Sequence, residues 1–244
     1  MKVTVLNPDN VKDLFSHWGR FSAVCYDTKT NSPEKIGKHC LESEHFSGSR
    51  STYIEFMVEE CPRFLIDQLI RKEIGACKNV QSFRYVDKSS FAYEIPVEIK
   101  DNKALVDRYI NHMREAMELY EDIQSYVLSK GKSKERANEQ ARYVLPMSTH
   151  GTVVIGMTVE CFIEFCYKRL CIRTEDIHHQ LAILMRNEVV YLLPELSEYL
   201  VPKCVYLTWC PEKNSCGRYP KKTKMKLGEI DNGVFEIQET NSNS

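Results

Sequence analysis

Residues 71–85 read RKEIGACKNVQSFRY, and this stretch is the most informative in the chain. It places Arg71, Ser82 and Arg84 near one another in sequence, followed directly by Tyr85. Guanidinium groups bind phosphate or carbonyl oxygens in pairs, and a serine hydroxyl can complete such a cradle. The stretch can therefore form part of a site for a ligand with anionic oxygen atoms; the alternative is that its arginines are surface cations or salt-bridge partners.

The segment before this stretch has the pattern of a strand followed by a helix. Residues 52–59 show the period-two pattern of a half-buried strand. Pro62 can open a helix in its first turn, and Gly75 can end it. Gln68 and Arg71 are three residues apart on that predicted helix, so they share a face and can both reach one ligand.

The second half of the chain is dominated by helical periodicity. Apolar residues recur at intervals of three and four over 105–128, which predicts a long amphipathic helix that serves as scaffold or as an oligomer seam. The elements predicted after it are a helix over 134–142, a buried strand over 152–155, a helix over 159–170, and a helix that runs from a Thr174 cap to near Pro194. Strands and helices in this arrangement predict an α+β, or mixed α/β, domain.

Composition limits the classes of protein that fit. The chain has 244 residues with 43% hydrophobic content, enough for a substantial core in one domain. Its 33 basic and 34 acidic residues nearly cancel, so no overall field favours nucleic acid or an anionic membrane as a partner. The N-terminus has no signal-peptide pattern and no run is apolar enough to span a bilayer, so we expect a cytoplasmic protein without membrane contact.

The C-terminal region differs in composition from the rest of the chain. We expect one domain over 1–217 and a tail over 218–244 that is first basic and then polar. The basic run at 218–226 could contact RNA or an acidic partner, but a solvated tail accounts for it more simply. Cys204, Cys210 and Cys216 are spaced by six, yet they lack the Cys-x2-4-Cys hairpin of structural zinc sites, so no metal is predicted.

Further segments lie around residues 71–85 in a fixed order. They are AVCYD at 23–27, EKI at 34–36, LESEH at 41–45, QLIR at 68–71, ARYVLP at 141–146, FCYKRLCIR at 165–173, and the cysteine-bearing segment 204–217. Together with residues 71–85 they resemble the flavin-dependent thymidylate synthases. The signature of that family reads Arg-His-Arg, seven residues and then Ser; here Lys72 and Glu73 replace His-Arg, and the spacer has eight residues.

The resemblance implies a fold, an assembly and a reaction. It implies a mixed sheet with long helices, assembled as a homotetramer with active sites between subunits. It also implies reductive methylation of deoxyuridine monophosphate (dUMP) to thymidylate (dTMP), with FAD as cofactor, NADPH as reductant and 5,10-methylenetetrahydrofolate as the one-carbon donor. No cysteine nucleophile is implied, so none of the ten cysteines need be catalytic.

The resemblance also assigns site residues. The nucleotide-binding set falls on Gln68, Arg71, Gln81, Ser82, Arg84, Arg142 and Arg169, of which Arg169 is also the catalytic candidate. The flavin-binding set falls on Ser51, Lys72, Glu73, Ile74, Thr158, Glu160 and Arg173. Two cationic positions of the flavin set are now Glu73 and Glu160, and either would repel a phosphate.

Three interpretations follow from this change. Flavin binds through new contacts such as Lys72, Arg50 or Arg173; or the site accepts another cofactor or substrate; or the protein is a homologue that binds a pyrimidine nucleotide without reductive methylation. We favour the first of these. A protein that acts only through interaction, with the helix over 105–128 as its contact surface, is a further alternative.

Overall fold

The computed structural model describes residues 1–26 and 31–221. Within them, four strands form one sheet: β1 (Lys2–Val5), β2 (Tyr53–Pro62), β3 (Ala76–Val80) and β4 (His150–Thr158). The strand order is β1-β2-β4-β3, and each neighbouring pair is antiparallel. The predicted α+β class is confirmed. The described sheet is antiparallel rather than mixed, because each strand runs opposite to the strand beside it.

Nine α-helices lie in the described part of the chain. They are α1 (Pro8–Lys12), α2 (Leu14–Ala23), α3 (Pro33–Glu42), α4 (Arg63–Leu69), α5 (Lys103–Ser129), α6 (Lys134–Ala141), α7 (Val159–Arg169), α8 (Asp176–Leu192) and α9 (Lys203–Leu207). Short 3-10 turns at Gly48–Ser51 and Arg142–Val144 also bear on the site described below.

The core lies between the sheet and the helices. The period-two pattern of β2 leaves Ile54, Phe56 and Val58 with 0% of their surface exposed, and the ring of Phe56 lies 5.0 Å from that of Phe162 in α7. Each such buried side chain stabilises the fold by roughly 1.5–3 kcal/mol relative to exposure. The largest buried cluster has members from residue 3 to residue 200. The domain boundary at 217 stays a prediction, and from residue 222 onward the predicted tail lies outside the described residues.

Most of the helices and strands predicted from periodicity are confirmed. The predicted long helix corresponds to α5, and its N-terminus is capped by Asn102 Oδ1, which accepts from the Leu105 N–H at 3.1 Å. The helix predicted over 134–142 corresponds to α6, where Ser133 Oγ accepts from the Arg136 N–H at 3.2 Å. The predictions over 52–59, 152–155 and 159–170 correspond to β2, part of β4 and α7, and α8 ends just before Pro194.

Two predicted helix ends are wrong. Gly75 does not end a helix, because α4 stops at Leu69; Gly75 has φ +73 and leads instead into β3, a strand that the periodicity did not predict. Thr174 does not cap α8, whose N-cap is Glu175. The Thr174 hydroxyl donates to the Lys168 carbonyl at 3.1 Å, so it closes the turn after α7 instead.

Candidate functional site

A cavity of about 540 Å³ lies where α4, α7 and α8 meet. Gln68 lines it from α4, Arg169 lines it from the end of α7, and Arg71 and Lys72 line it from the turn that follows α4. Arg71 is thus not on the same helix as Gln68, contrary to the prediction. The two side chains still line one cavity, because a turn follows α4 directly, with the Lys72 N–H donating to the Leu69 carbonyl at 3.2 Å, and keeps Arg71 near the helix end.

Two residues from the start of α8 hold the amide of Gln68. Its Nε2 donates to Glu175 Oε2 at 2.8 Å, and its Oε1 lies 3.1 Å from His178 Nδ1. His178 is 1% exposed and also lines the cavity. Burial, and then the charge of Arg169, lower the pKa of His178 to about 4, so its imidazole is neutral at neutral pH. Its position in the sequence gives His178 no evident role; a signal that could have found it is the spacing of three between Glu175 and His178, which places both on one face.

We expect His178→Phe to remove part of the protein's acid sensitivity. An unfolded histidine binds a proton near its ordinary pKa of 6.5, whereas His178 in the folded chain does so only near 4. Between these two pKa values the unfolded state binds one proton more than the folded state. The contribution of His178 to the free energy of unfolding is therefore fully present above pH 6.5 and is lost as the pH falls towards 4. The loss is on the order of 3 kcal/mol, because one pKa unit corresponds to about 1.4 kcal/mol. Urea denaturation over this pH range should show a shallower decline for the variant; an equal decline would contradict the expectation.

A second cavity, of about 580 Å³, lies beside the first. Gln81 and Ser82 line it from the loop after β3, and Arg142 lines it from the 3-10 turn that follows α6. Met147 lines both cavities, so it lies between the two groups of polar side chains. The predicted nucleotide set is therefore divided, with three members in each cavity.

Arg84, the seventh member of the set, does not line either cavity. Its Nη2 donates to Glu135 Oε1 at 2.6 Å, and its Nε is 4.0 Å from Glu139 Oε2. Both carboxylates belong to α6, the helix that leads to Arg142. The ion pair therefore ties the signature segment to the element that carries Arg142.

Part of the predicted flavin set gathers at the N-terminus of α7. Thr158 caps the helix, since its Oγ1 accepts from the Cys161 N–H at 3.2 Å. Glu160 does not face solvent as a free anion: Arg50 Nε and Nη2 lie 2.5 and 3.1 Å from its two carboxylate oxygens. This bidentate contact raises the pKa of Arg50. Lys72 makes a similar contact, with Nζ 3.2 Å from Glu164 Oε2.

The remaining flavin candidates are more dispersed. Glu73 is exposed, and 89% of the Ile74 surface is exposed. Ser51 donates to the Gly48 carbonyl at 2.7 Å, in the same 3-10 turn that carries Arg50. Arg173 lies beyond the opposite end of α7 from Thr158 and donates to the Asn214 carbonyl. A helix of eleven residues is about 16 Å long, so Arg173 is not grouped with the others.

Two other features of the described residues bear on function. No group of three or more His, Cys, Asp or Glu side chains within 1–26 and 31–221 is arranged to hold a metal ion. No helix in the same residues combines the length and the apolar character that a membrane span requires.

Adjacent cavities lined by guanidinium, amide and hydroxyl groups present the donors that an anionic ligand with several oxygen acceptors requires. Comparison with known proteins identifies the family of this chain. The family described as thymidylate synthase complementing protein matches residues 14–195, and this chain belongs to that family.

Three relatives of this chain share the name flavin-dependent thymidylate synthase. The flavin-dependent thymidylate synthase of Nitratidesulfovibrio vulgaris is 35% identical over 187 residues, which is 76% of this chain and 76% of the relative. That of Clostridium tetani is 32% identical over 82% of this chain and 84% of its own length. That of Pyrococcus abyssi is 27% identical over 88% and 90%, respectively.

Proposed function

We propose that this protein is a flavin-dependent thymidylate synthase, which converts dUMP to dTMP with 5,10-methylenetetrahydrofolate and NADPH. The observation that carries the proposal is the pair of adjacent cavities. One gathers Gln68, Arg71 and Arg169, and the other gathers Gln81, Ser82 and Arg142. These side chains supply the donors that a phosphate and a uracil ring require.

The division of the set favours an active site shared between subunits. A homotetramer that places the first cavity of one chain against the second cavity of another would complete one nucleotide site. The apolar surface around the second cavity supports such contact, because Tyr143 and Met147, which line it, are 80% and 53% exposed. Large exposed apolar side chains that cluster in this way are typical of association surfaces. Within the described residues, α5 buries only Met113, Ala116 and Tyr120. The rest of its surface is therefore available for contact with another subunit.

The residues at the start of α7 fit a flavin dinucleotide. The diphosphate of such a group needs cations or N–H donors, and its rings need apolar surface. Arg50 and Lys72 supply the cations, and the exposed Ile74 supplies apolar surface. The carboxylates of Glu160 and Glu164 are each held by a cation rather than left free. Arg50 thus supplies a positive charge next to Glu160, which stands where the family has a cationic residue.

The chain's own residues act by binding and orientation. The arginines and Gln68 bind the nucleotide, and Arg169 lines the first cavity together with His178, whose pKa its charge helps to lower. The bound flavin supplies the hydride for the methylation. Ser82 Oγ accepts from the Arg84 backbone N–H at 3.4 Å, which suits a ligand cradle rather than a nucleophile. Burial raises the pKa of Cys61 to about 12 and raises the pKa of Cys166 as well, so these thiols are not activated nucleophiles.

Calorimetric titration of the full chain with FAD, with and without dUMP, tests the proposal. We expect saturable FAD binding, dUMP binding, and formation of dTMP when NADPH and 5,10-methylenetetrahydrofolate are added. Binding of dUMP without FAD would replace the proposal by that of a nucleotide-binding homologue. Failure of dUMP to bind would overturn the assignment of both cavities.

We expect Arg50→Ala to weaken FAD binding about 10-fold, because it removes a charge-assisted contact and leaves Glu160 as a free anion. The double variant Arg50→Ala/Glu160→Gln should recover part of the affinity, since the repulsion is gone. Lys12→Ala, which loses only an exposed ion pair with Asp9 in α1, is the control and should bind FAD as the wild type does. Flavin fluorescence measures all three. Equal affinity in Arg50→Ala and the control would show that Arg50 is not part of the flavin site.

A further inference from the structure

The amide of Gln68 is held by two side chains, Glu175 and His178, that belong neither to the nucleotide-binding set nor to the flavin-binding set. Glu175 Oε2 accepts from Gln68 Nε2 at 2.8 Å, and His178 Nδ1 lies 3.1 Å from Gln68 Oε1. Both partners come from the first turn of α8, whereas Gln68 belongs to α4. The contact therefore joins two separate elements that line the same cavity.

The chemistry of Gln68, Glu175 and His178 fixes the position of each hydrogen atom in the two hydrogen bonds that join them. A carboxylate only accepts, so Glu175 requires the NH2 side of the Gln68 amide to face it. The amide oxygen then faces His178, so Nδ1 must carry the proton and donate. His178 Nε2 is buried and has no hydrogen-bond partner among the described residues. A second proton there would be an unsatisfied donor close to Arg169, so the ring stays in the single neutral tautomer.

We propose that Glu175 and His178 are positioning residues that lock the Gln68 amide in one orientation, and that this lock sets the preference of the site for uracil over cytosine. The inference rests on the proposed function and takes Gln68 as the side chain that faces the pyrimidine. The lock consumes one N–H and one lone pair of the amide and leaves one of each for a ligand.

A fixed amide discriminates between the two bases because their edges are opposite. Uracil presents a carbonyl acceptor next to an N–H donor, whereas cytosine presents an amino donor next to a ring-nitrogen acceptor. An amide that cannot rotate matches one pattern and leaves unpaired polar groups against the other. An amide that is free to rotate by half a turn matches either pattern. Loss of the lock should therefore lower the ratio of dUMP to dCMP affinity and not only the affinity for dUMP.

The test is the affinity of the full chain for dUMP and for deoxycytidine monophosphate (dCMP), measured by calorimetry. Glu175→Ala/His178→Phe removes both partners of the amide while keeping a buried ring at 178, because Glu175 alone would still orient the NH2 side. We expect it to weaken dUMP binding about 10-fold and to lower the ratio of dUMP to dCMP affinity by a similar factor. Glu175→Ala/His178→Asn restores an N–H donor near the position of Nδ1, so it should recover much of the preference for dUMP.

Three controls separate positioning from general loss of structure. His179→Phe, at the next residue of α8, makes the same replacement outside the contact and should leave both affinities unchanged. In a Gln68→Ala background, Glu175→Ala/His178→Phe should have no further effect, because a positioning residue acts only through the group that it holds. Melting temperatures should not follow the binding order: Asn in a buried apolar setting destabilises more than Phe, although Asn binds dUMP better.

The outcomes distinguish the two proposals. If the wild type does not bind dUMP, the proposed function fails. If the wild type binds dUMP but Glu175→Ala/His178→Phe keeps the dUMP preference shown by the His179→Phe control, the positioning role alone is overturned. An equal loss for Glu175→Ala/His178→Phe in the wild-type and Gln68→Ala backgrounds would overturn it as well, since the effect would not pass through Gln68.

Discussion

Arg169→Ala and Arg142→Ala should each abolish most dTMP formation, and tetramers that contain both variant chains should regain it. A lost charged hydrogen bond costs roughly 1.5–3 kcal/mol, so each variant alone should bind dUMP about 10- to 100-fold more weakly. The two arginines line different cavities of one chain. If each nucleotide site combines the first cavity of one subunit with the second cavity of another, a hybrid contains some sites in which both halves are intact. If equal amounts of the two variant chains assemble at random, about a quarter of the nucleotide sites should contain both Arg169 and Arg142.

The experiment needs hybrids of defined composition. Co-expression of the two variants with different affinity tags, followed by purification on both tags in turn, yields tetramers that contain both chains. The matched control combines Arg169→Ala with Gln68→Ala, which both lie in the first cavity and cannot complement each other. Activity in the Arg169/Arg142 hybrid but not in the control would support the shared site. Inactive hybrids of verified composition would instead place one nucleotide across both cavities of a single chain, over Met147.

The sequence carried the resemblance to the family, but it did not show where the candidate side chains lie. Residue types and order along the chain sufficed for the resemblance, and the family match confirms it. The division of the set between two cavities depends on how the turn after Leu69 and the loop after β3 are directed. No local pattern encodes that direction. The ion pair between Arg50 and Glu160 joins residues 110 apart in sequence, so it likewise depends on tertiary structure.

The fold shows the same division between local and non-local information. The ends of α5 and α6 follow from capping side chains and apolar periodicity, both of which are local. β3 was not predicted because residues 76–80 are only partly buried and have no strong apolar alternation. Pairing with β4 makes this segment a strand, from Ala76 opposite Met157 to Val80 opposite Val153. Gly75 serves that pairing, since a left-handed residue turns the chain from the end of α4 into the sheet.

Gly19→Ala should destabilise the fold by about 3 kcal/mol or more, although alanine normally favours a helix over glycine by about 1 kcal/mol. A Cβ at Gly19 would lie 1.7 Å from the Pro33 carbonyl oxygen, and a Cβ at Gly37 would lie 2.0 Å from the Phe15 carbonyl oxygen. The obstructing atoms belong to the backbone, so no side-chain rotation relieves the clash. Helices α2 and α3 would have to separate, which opens the packing around Trp18 and Phe15.

The consequence of that separation reaches the candidate flavin site. Trp18 of α2 packs against the turn Gly48–Ser51, where a Cβ at Gly48 would lie 2.4 Å from the Trp18 ring. The same turn carries Arg50, so movement of α2 displaces the partner of Glu160. We therefore expect Gly19→Ala to lower both the free energy of unfolding, measured in urea, and the affinity for FAD in the population that remains folded. Arg20→Ala is the matched control: it loses only an exposed ion pair with Asp13, worth under about 1 kcal/mol, and should leave FAD binding unchanged. A stabilised Gly19→Ala variant would mean that α2 and α3 do not cross at their glycines.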